Sequence, residues 1–346
     1  MGLTRAKIAV ASLAAGLATV PGTAFVVSAQ TSIVRTPARL ARGRYIVEGP
    51  AQCFDCHSEL RTNTRPIEVV PGRKGAGRIN PMNPANGVQV VAPNITPDRE
   101  TGVGAWTDAE LARAIRRGIR RDGQTLFRRM PYEFFNHMSD EDLASVIVYL
   151  RSIPAVRNKL PRSTVLAAVA ATIQPRPDPG VVPEPDRSTP VTRGAYLVNL
   201  AHCVGCHSPG NNGRRTPGTE FSGGVSFRLN RPLADHASPT LASANLTPDA
   251  SGISYYDEAI FINTIRTGAV NGVRPLDTNM PWSWFRHMTD GDLRDIFSYL
   301  RTLSPVVHRV DNREIPTACP IDGNPHGLGD QNRPRETRTA AVTSQK

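Results

Sequence analysis

The sequence predicts a mainly α-helical protein built as two tandem copies of one unit. Three observations predict it. A set of short motifs recurs after 150 or 151 residues: Gly43-x-Tyr45-x-Val47 returns as Gly194-x-Tyr196-x-Val198, and Tyr149-Leu150-Arg151 as Tyr299-Leu300-Arg301. Each copy ends in a segment with apolar residues at helical spacing: Leu143, Val146, Ile147 and Leu150, then Leu293, Ile296, Phe297 and Leu300. The stretches between are rich in Gly, Pro and Asn without two-residue alternation, so almost no strand is expected. Two complete copies of about 115 residues are two domains, not a solenoid.

Taken in chain order, residues 1–29 read as an export signal. Arg5 and Lys7 precede an apolar run from Ile8 to Val20, Pro21-Gly22 breaks it, and Val27-Ser28-Ala29 offers small residues for cleavage. Cleavage would place the mature chain in the periplasm; the alternative is an uncleaved anchor. The first unit is expected over 30–154 and the second over 191–310. Each runs from a short helix bearing Tyr45 or Tyr196 through a Cys motif and a long loop to a middle helix, a Met-Pro loop and a final helix. The middle helix of the first unit opens on a capping box, Thr107 with Glu110. Ser139-x-x-Asp142 and Thr289-x-x-Asp292 read as further boxes at the final helices. There Met138 and Met288 precede the N-cap, each positioned to staple onto Leu143 or Leu293. Residues 155–190, rich in Pro and Arg, read as a linker in which Val165 to Ile173 forms a small helix. Residues 311–346 read as a loosely ordered tail.

The chemistry sits in Cys53-Phe54-Asp55-Cys56-His57 and Cys203-Val204-Gly205-Cys206-His207. This is the attachment pattern of c-type haem. Two thiols on one helical turn each add to a haem vinyl group, and the next residue, His57 or His207, supplies an imidazole to the iron. The rivals are weaker: zinc needs four ligands where each cluster offers three, and a redox dithiol needs a βαβ context that is missing. Two covalent haems are therefore expected, on Cys53 and Cys56 and on Cys203 and Cys206. For the opposite face of each iron three pairs recur: Met130 and Met280, His137 and His287, Met138 and Met288. Met138 and Met288 already have a packing role. Met130 and Met280 stand before Pro131 and Pro281 on stiffened loops and are the expected ligands, with the two His on the surface.

The fifth cysteine, Cys319, stands alone in the tail as an unpaired thiol or a link to another chain. The net charge of +11 points to an acidic partner. Export excludes nucleic acid, and no segment beyond the N-terminal one is apolar enough to span a membrane, so any membrane contact is peripheral. Arg113, Arg116, Arg117 and Arg120 fall on one face of the middle helix, opposite Leu111, Ile115 and Ile119, and are the expected docking stripe.

Several of these segments resemble one family. The haem motifs, Asn94-Ile95-Thr96-Pro97-Asp98, Thr101-Gly102-Val103-Gly104-Ala105-Trp106-Thr107, Met130-Pro131-Tyr132 and Met138-Ser139-Asp140-Glu141-Asp142-Leu143 are similar to those of the multihaem cytochrome c subunits of membrane-associated bacterial dehydrogenases for alcohols, gluconate and aldehydes. The second half repeats them more loosely. The resemblance implies tandem class I cytochrome c domains, His/Met ligation through Met130 and Met280, and electron delivery from a dehydrogenase toward the respiratory chain. The chain departs from that family in having two haem motifs, not three, and a polar C-terminal tail. A diheme carrier is the expectation. The alternative is a catalyst such as a diheme peroxidase, which needs one iron with an open position, whereas the two halves carry matched ligand sets.

Overall fold

Helix α1 (Pro37–Glu48) starts where Thr36 accepts the Arg39 N–H and Pro37 presets the first turn. In the computed structural model, residues 32–80, 89–164, 167–211, 214–228, 240–272, 274–310, 316–318 and 325–327 are described. The expected export signal and Cys319 lie outside them. After α1 come α2 (Cys53–His57), α3 (Asp108–Arg117), α4 (Tyr132–Phe135) and α5 (Asp140–Leu150). The order repeats after the one-turn helix α6 (Ala167–Ala170): α7 (Pro190–Leu200), α8 (Cys203–His207), α9 (Glu258–Thr267), α10 (Trp282–Phe285) and α11 (Asp290–Leu300).

In each repeat the first helix crosses the last at a glycine. A Cβ on Gly43 would lie 1.9 Å from the Ser145 carbonyl oxygen, and one on Gly194 at 1.9 Å from that of Asp295. Only glycine permits that approach, which explains the Gly-x-Tyr motif. Around the first crossing Ile46, Val47, Phe54, Val146, Ile147 and Leu150 form a buried cluster; around the second, Leu197, Val198, Phe261, Leu293, Ile296 and Leu300 do the same. Met138 and Leu143 share the first cluster and Met288 and Leu293 the second, as hydrophobic staples require.

Strands are more frequent than the sequence indicates. Short antiparallel ladders close the loops, among them Arg78–Asn80 with Val90–Ala92 and Ser226–Arg228 with Thr240–Ala242. At two or three residues each, they are too short for alternation to register. Residues 155–164 and 167–184 run along the first repeat: Val91 N–H donates to Ser163, Arg176 N–H to the Arg117 carbonyl and Asp140 N–H to the Val182 carbonyl.

The repeats pack on each other through reciprocal contacts. Tyr196, from α7, donates to Asp142 Oδ2 at 2.8 Å and accepts the Ser139 N–H at 3.1 Å. Tyr45, from α1, donates to Asp292 and accepts the Thr289 N–H at 3.3 Å. Trp284 Nε1 donates to Asp55 at 2.8 Å, while its counterpart Phe134 lies over Gly205, where a Cβ would come within 3.0 Å of the ring. Pairs that swap partners in this way relate the repeats by an approximate two-fold axis.

These contacts correct the capping boxes expected at α5 and α11. Ser139 and Thr289 do accept the N–H of Asp142 and Asp292. The return half of each box is replaced: the Asp142 carboxylate takes Arg42 and Tyr196, and Asp292 takes Tyr45. The N-cap N–H goes to the tyrosine of the other repeat, which closes each cap instead. The box at α3, Thr107 with Glu110, is complete.

The arginine stripe is corrected too. Helix α3 ends at Arg117, with Gly118 in left-handed backbone, so Arg120 is not on it. Arg116 is 8% exposed, donates to the Met138 carbonyl and pairs with Asp140 at 2.6 Å. Arg117 pairs with Asp178 and Arg120 with Asp122. Three of the four charges are thus paired within the molecule, and Arg113 donates to the Arg120 carbonyl.

Candidate functional site

Each Cys motif is a single helical turn set against a loop that orients its histidine. His57 Nδ1 lies 2.7 Å from the Pro93 carbonyl oxygen, and His207 Nδ1 2.7 Å from that of Ala244. Both imidazoles are 8% exposed, and burial lowers their pKa, so they are neutral and Nδ1 carries the proton donated to the carbonyl. Nε2 is then left with its lone pair, as a metal-binding imidazole requires.

The Asn-x-Thr-Pro-Asp motif fixes those carbonyls. Asn94 Oδ1 accepts the Thr96 N–H and hydroxyl at 2.9 and 2.7 Å, and its Nδ2 donates to the Val156 carbonyl at 2.7 Å. Asn245 repeats the pattern with Thr247 and the Val306 carbonyl. Both asparagines are buried, so the residue before each, Pro93 or Ala244, is held in place.

In the second repeat Cys203, Cys206, His207 and Met280 line one cavity of about 800 Å³. Its walls are largely apolar, with Phe261, Ile265 and Leu293 among them, and Arg274 and Arg309 also line it. Met288 touches the cavity as well, but it is 2% exposed and packed into the second core cluster. In the first repeat Cys53 and Met130 pack partly buried against the first core cluster. His137 and His287 are exposed. Cys53, Cys56, Cys203 and Cys206 are free thiols; burial pushes Cys53 and Cys203 up to about 12 and Cys56 up to about 11, so all three are protonated near neutrality.

Comparison with known proteins identifies the architecture. A family profile described as cytochrome c matches residues 191–304. The chain is 27% identical over 302 residues to an alcohol dehydrogenase (quinone) cytochrome c subunit of Gluconacetobacter polyoxogenes, covering 82% of this chain and 60% of that one. Its second repeat carries a cytochrome c domain. A fructose dehydrogenase cytochrome subunit of Gluconobacter japonicus is 28% identical over 279 residues, 76% of this chain and 52% of that one. A gluconate 2-dehydrogenase cytochrome c subunit of Pantoea cypripedii is 26% identical over 285 residues, 77% of this chain and 60% of the relative. The chain thus spans between about half and three fifths of these relatives' length.

A cytochrome c domain carries covalent haem c, and the second-repeat cavity fits such a group. It offers two free thiols on one turn, an imidazole whose Nε2 is free, an apolar wall and two cations at its lining. The motifs, the Met loops and the capped helices are legible in the sequence. The Pro93 and Ala244 carbonyls are not, because a backbone acceptor has no residue signature; the adjoining Asn-x-Thr-Pro-Asp is the available signal.

Proposed function

We propose that this chain is a diheme periplasmic electron carrier that serves a dehydrogenase and passes electrons toward the respiratory chain. Each repeat, over 30–154 and 191–310, would hold one haem c: Cys53 and Cys56, or Cys203 and Cys206, would bind it covalently, and His57 with Met130, or His207 with Met280, would ligate its iron. The observation that carries this is the second-repeat cavity, which gathers Cys203, Cys206, His207 and Met280 around one apolar space. The twofold occurrence of the His Nδ1 to carbonyl bond extends it to the first repeat.

Haem supplies a one-electron iron couple, and a Met/His ligand set favours a high potential. The protein's residues do the rest. Pro93 and Ala244 fix the imidazole tautomer, the apolar walls exclude water, and the loops before Pro131 and Pro281 carry the thioethers. An acidic partner is supported by the net charge of +11. A basic chain favours a redox protein that presents carboxylates.

Intact mass of the native periplasmic protein tests the reading. Two haem additions on a chain cleaved near residue 29 are expected; one addition or none overturns it. Met130→Ala and Met280→Ala should each remove half of the far-red iron–sulfur absorption of the ferric protein. Retention of the full band in both assigns the sixth ligand elsewhere.

A further inference from the structure

Gln52 and His202 hold the same place in the two repeats, one residue before the first Cys of each motif. Their side chains meet, with Gln52 Nε2 2.9 Å from His202 Nε2. Equivalent residues touch one another only on the axis that relates the repeats. Both have left-handed backbone, φ 42° and 43°, an uncommon state for residues other than glycine. Gln52 is 6% exposed, and the Phe134 ring lies 5.8 Å from the His202 ring, centroid to centroid. Burial lowers His202 to about 4, so near neutrality its imidazole is uncharged and its bare Nε2 accepts the Gln52 amide proton.

The route between the motifs is short. From Cys53 it crosses one peptide bond to Gln52, one hydrogen bond to His202 and one peptide bond to Cys203. Among the described residues no other hydrogen bond joins the segments flanking the two motifs. The flanking contacts, Trp284 on Asp55 and Phe134 over Gly205, hold the two motif helices from either side without linking them directly.

On the basis of the two-haem reading, we infer that Gln52 and His202 form the positioning contact that sets the spacing of the two haem attachment sites and lies on the route of electron exchange between them. The exchange moves one electron. One site is oxidised as the other is reduced, and no bond or proton changes place.

The test uses the full chain carrying both haems. Intact mass comes first: fewer than two additions defeats the two-haem reading itself, and this failure is separate from failure of the contact. Circular dichroism in the Soret region should then show a two-signed couplet, as two close, fixed chromophores give. A spectrum equal to the sum of two independent sites overturns the spacing. Next, half-reduced protein is prepared by pulse radiolysis and the relaxation between sites is timed. Gln52→Asn and His202→Asn tolerate left-handed backbone but are too short to meet their partner. Each should slow the relaxation several-fold and weaken the couplet while leaving haem content in place. The exchanged pair, Gln52→His with His202→Gln, should restore the rate, because the axis makes the two places equivalent. An unchanged rate in both single variants, or an exchanged pair as slow as they are, overturns the route.

Discussion

The hydroxyl of Tyr196 donates to Asp142 Oδ2 at 2.8 Å, so a residue of the second repeat closes the N-terminus of the last helix of the first. Asp142 is 1% exposed, and Arg42 adds two hydrogen bonds at 2.7 and 2.8 Å. Burial works to raise this carboxyl, but the Arg42 and Tyr196 bonds outweigh it and hold it below the usual aspartate value.

That lowered pKa sets a pH window. An unfolded aspartate protonates near pH ~3.9, so the contribution of Asp142 is complete above that pH and is lost as pH falls through the lower folded value. Asp142→Asn should cost about 3 kcal/mol at neutral pH, the range for hydrogen bonds to charged groups. The gap in Tm between this variant and the native protein should close in acid. A gap that stays constant down to pH ~3 would show that the carboxylate charge is irrelevant.

The helix crossings make a paired prediction. Gly43→Ala and Gly194→Ala each force a Cβ to 1.9 Å from a backbone carbonyl oxygen and should each cost about 3 kcal/mol or more. Gly218, with φ +79° and nothing within 4 Å of an added Cβ, is the control. Gly218→Ala should cost only the left-handed backbone penalty of about 1 kcal/mol. Chemical denaturation of the three variants ranks them.

Asn94→Ala and Asn245→Ala should each lose about 2–3 kcal/mol, since each strips buried partners from a Thr and a carbonyl. Each should also loosen the histidine of its own repeat alone. The spectrum of one haem should then change while the other stays native, which magnetic circular dichroism resolves.

Arg116→Gln should cost about 2 kcal/mol, because it takes a charged donor from the Met138 carbonyl and from Asp140 in a buried place. Arg121→Gln removes an exposed pair with Glu110 and should fall within about 0.5 kcal/mol of the native protein. Equal effects from both would return Arg116 to the surface.

Much of the site is legible in the sequence because its parts are local. A Cys-x-x-Cys-His turn, a Thr107–Glu110 box and a Met138–Leu143 staple each lie within six residues, so spacing alone gives their geometry. Asp142 and Arg116 are misleading for the opposite reason. Each stands at a helix position with a familiar local role, a capping partner and a surface cation, yet takes its partners from segments far along the chain. The contact of Gln52 with His202 belongs to the same class: it depends on how one repeat lies on the other, which no motif encodes.

The two-fold arrangement of the repeats has an evolutionary consequence. In a dimer of identical chains, every change at the axis is made twice, so a residue there must tolerate its own image. A tandem chain is free of that rule. At this axis one copy carries an amide and the other an imidazole, and Trp284 faces an aspartate where Phe134 faces a glycine. Joining the copies in one polypeptide lets the two sides of a self-complementary surface diverge, and a donor can face an acceptor where a true dimer would set like against like.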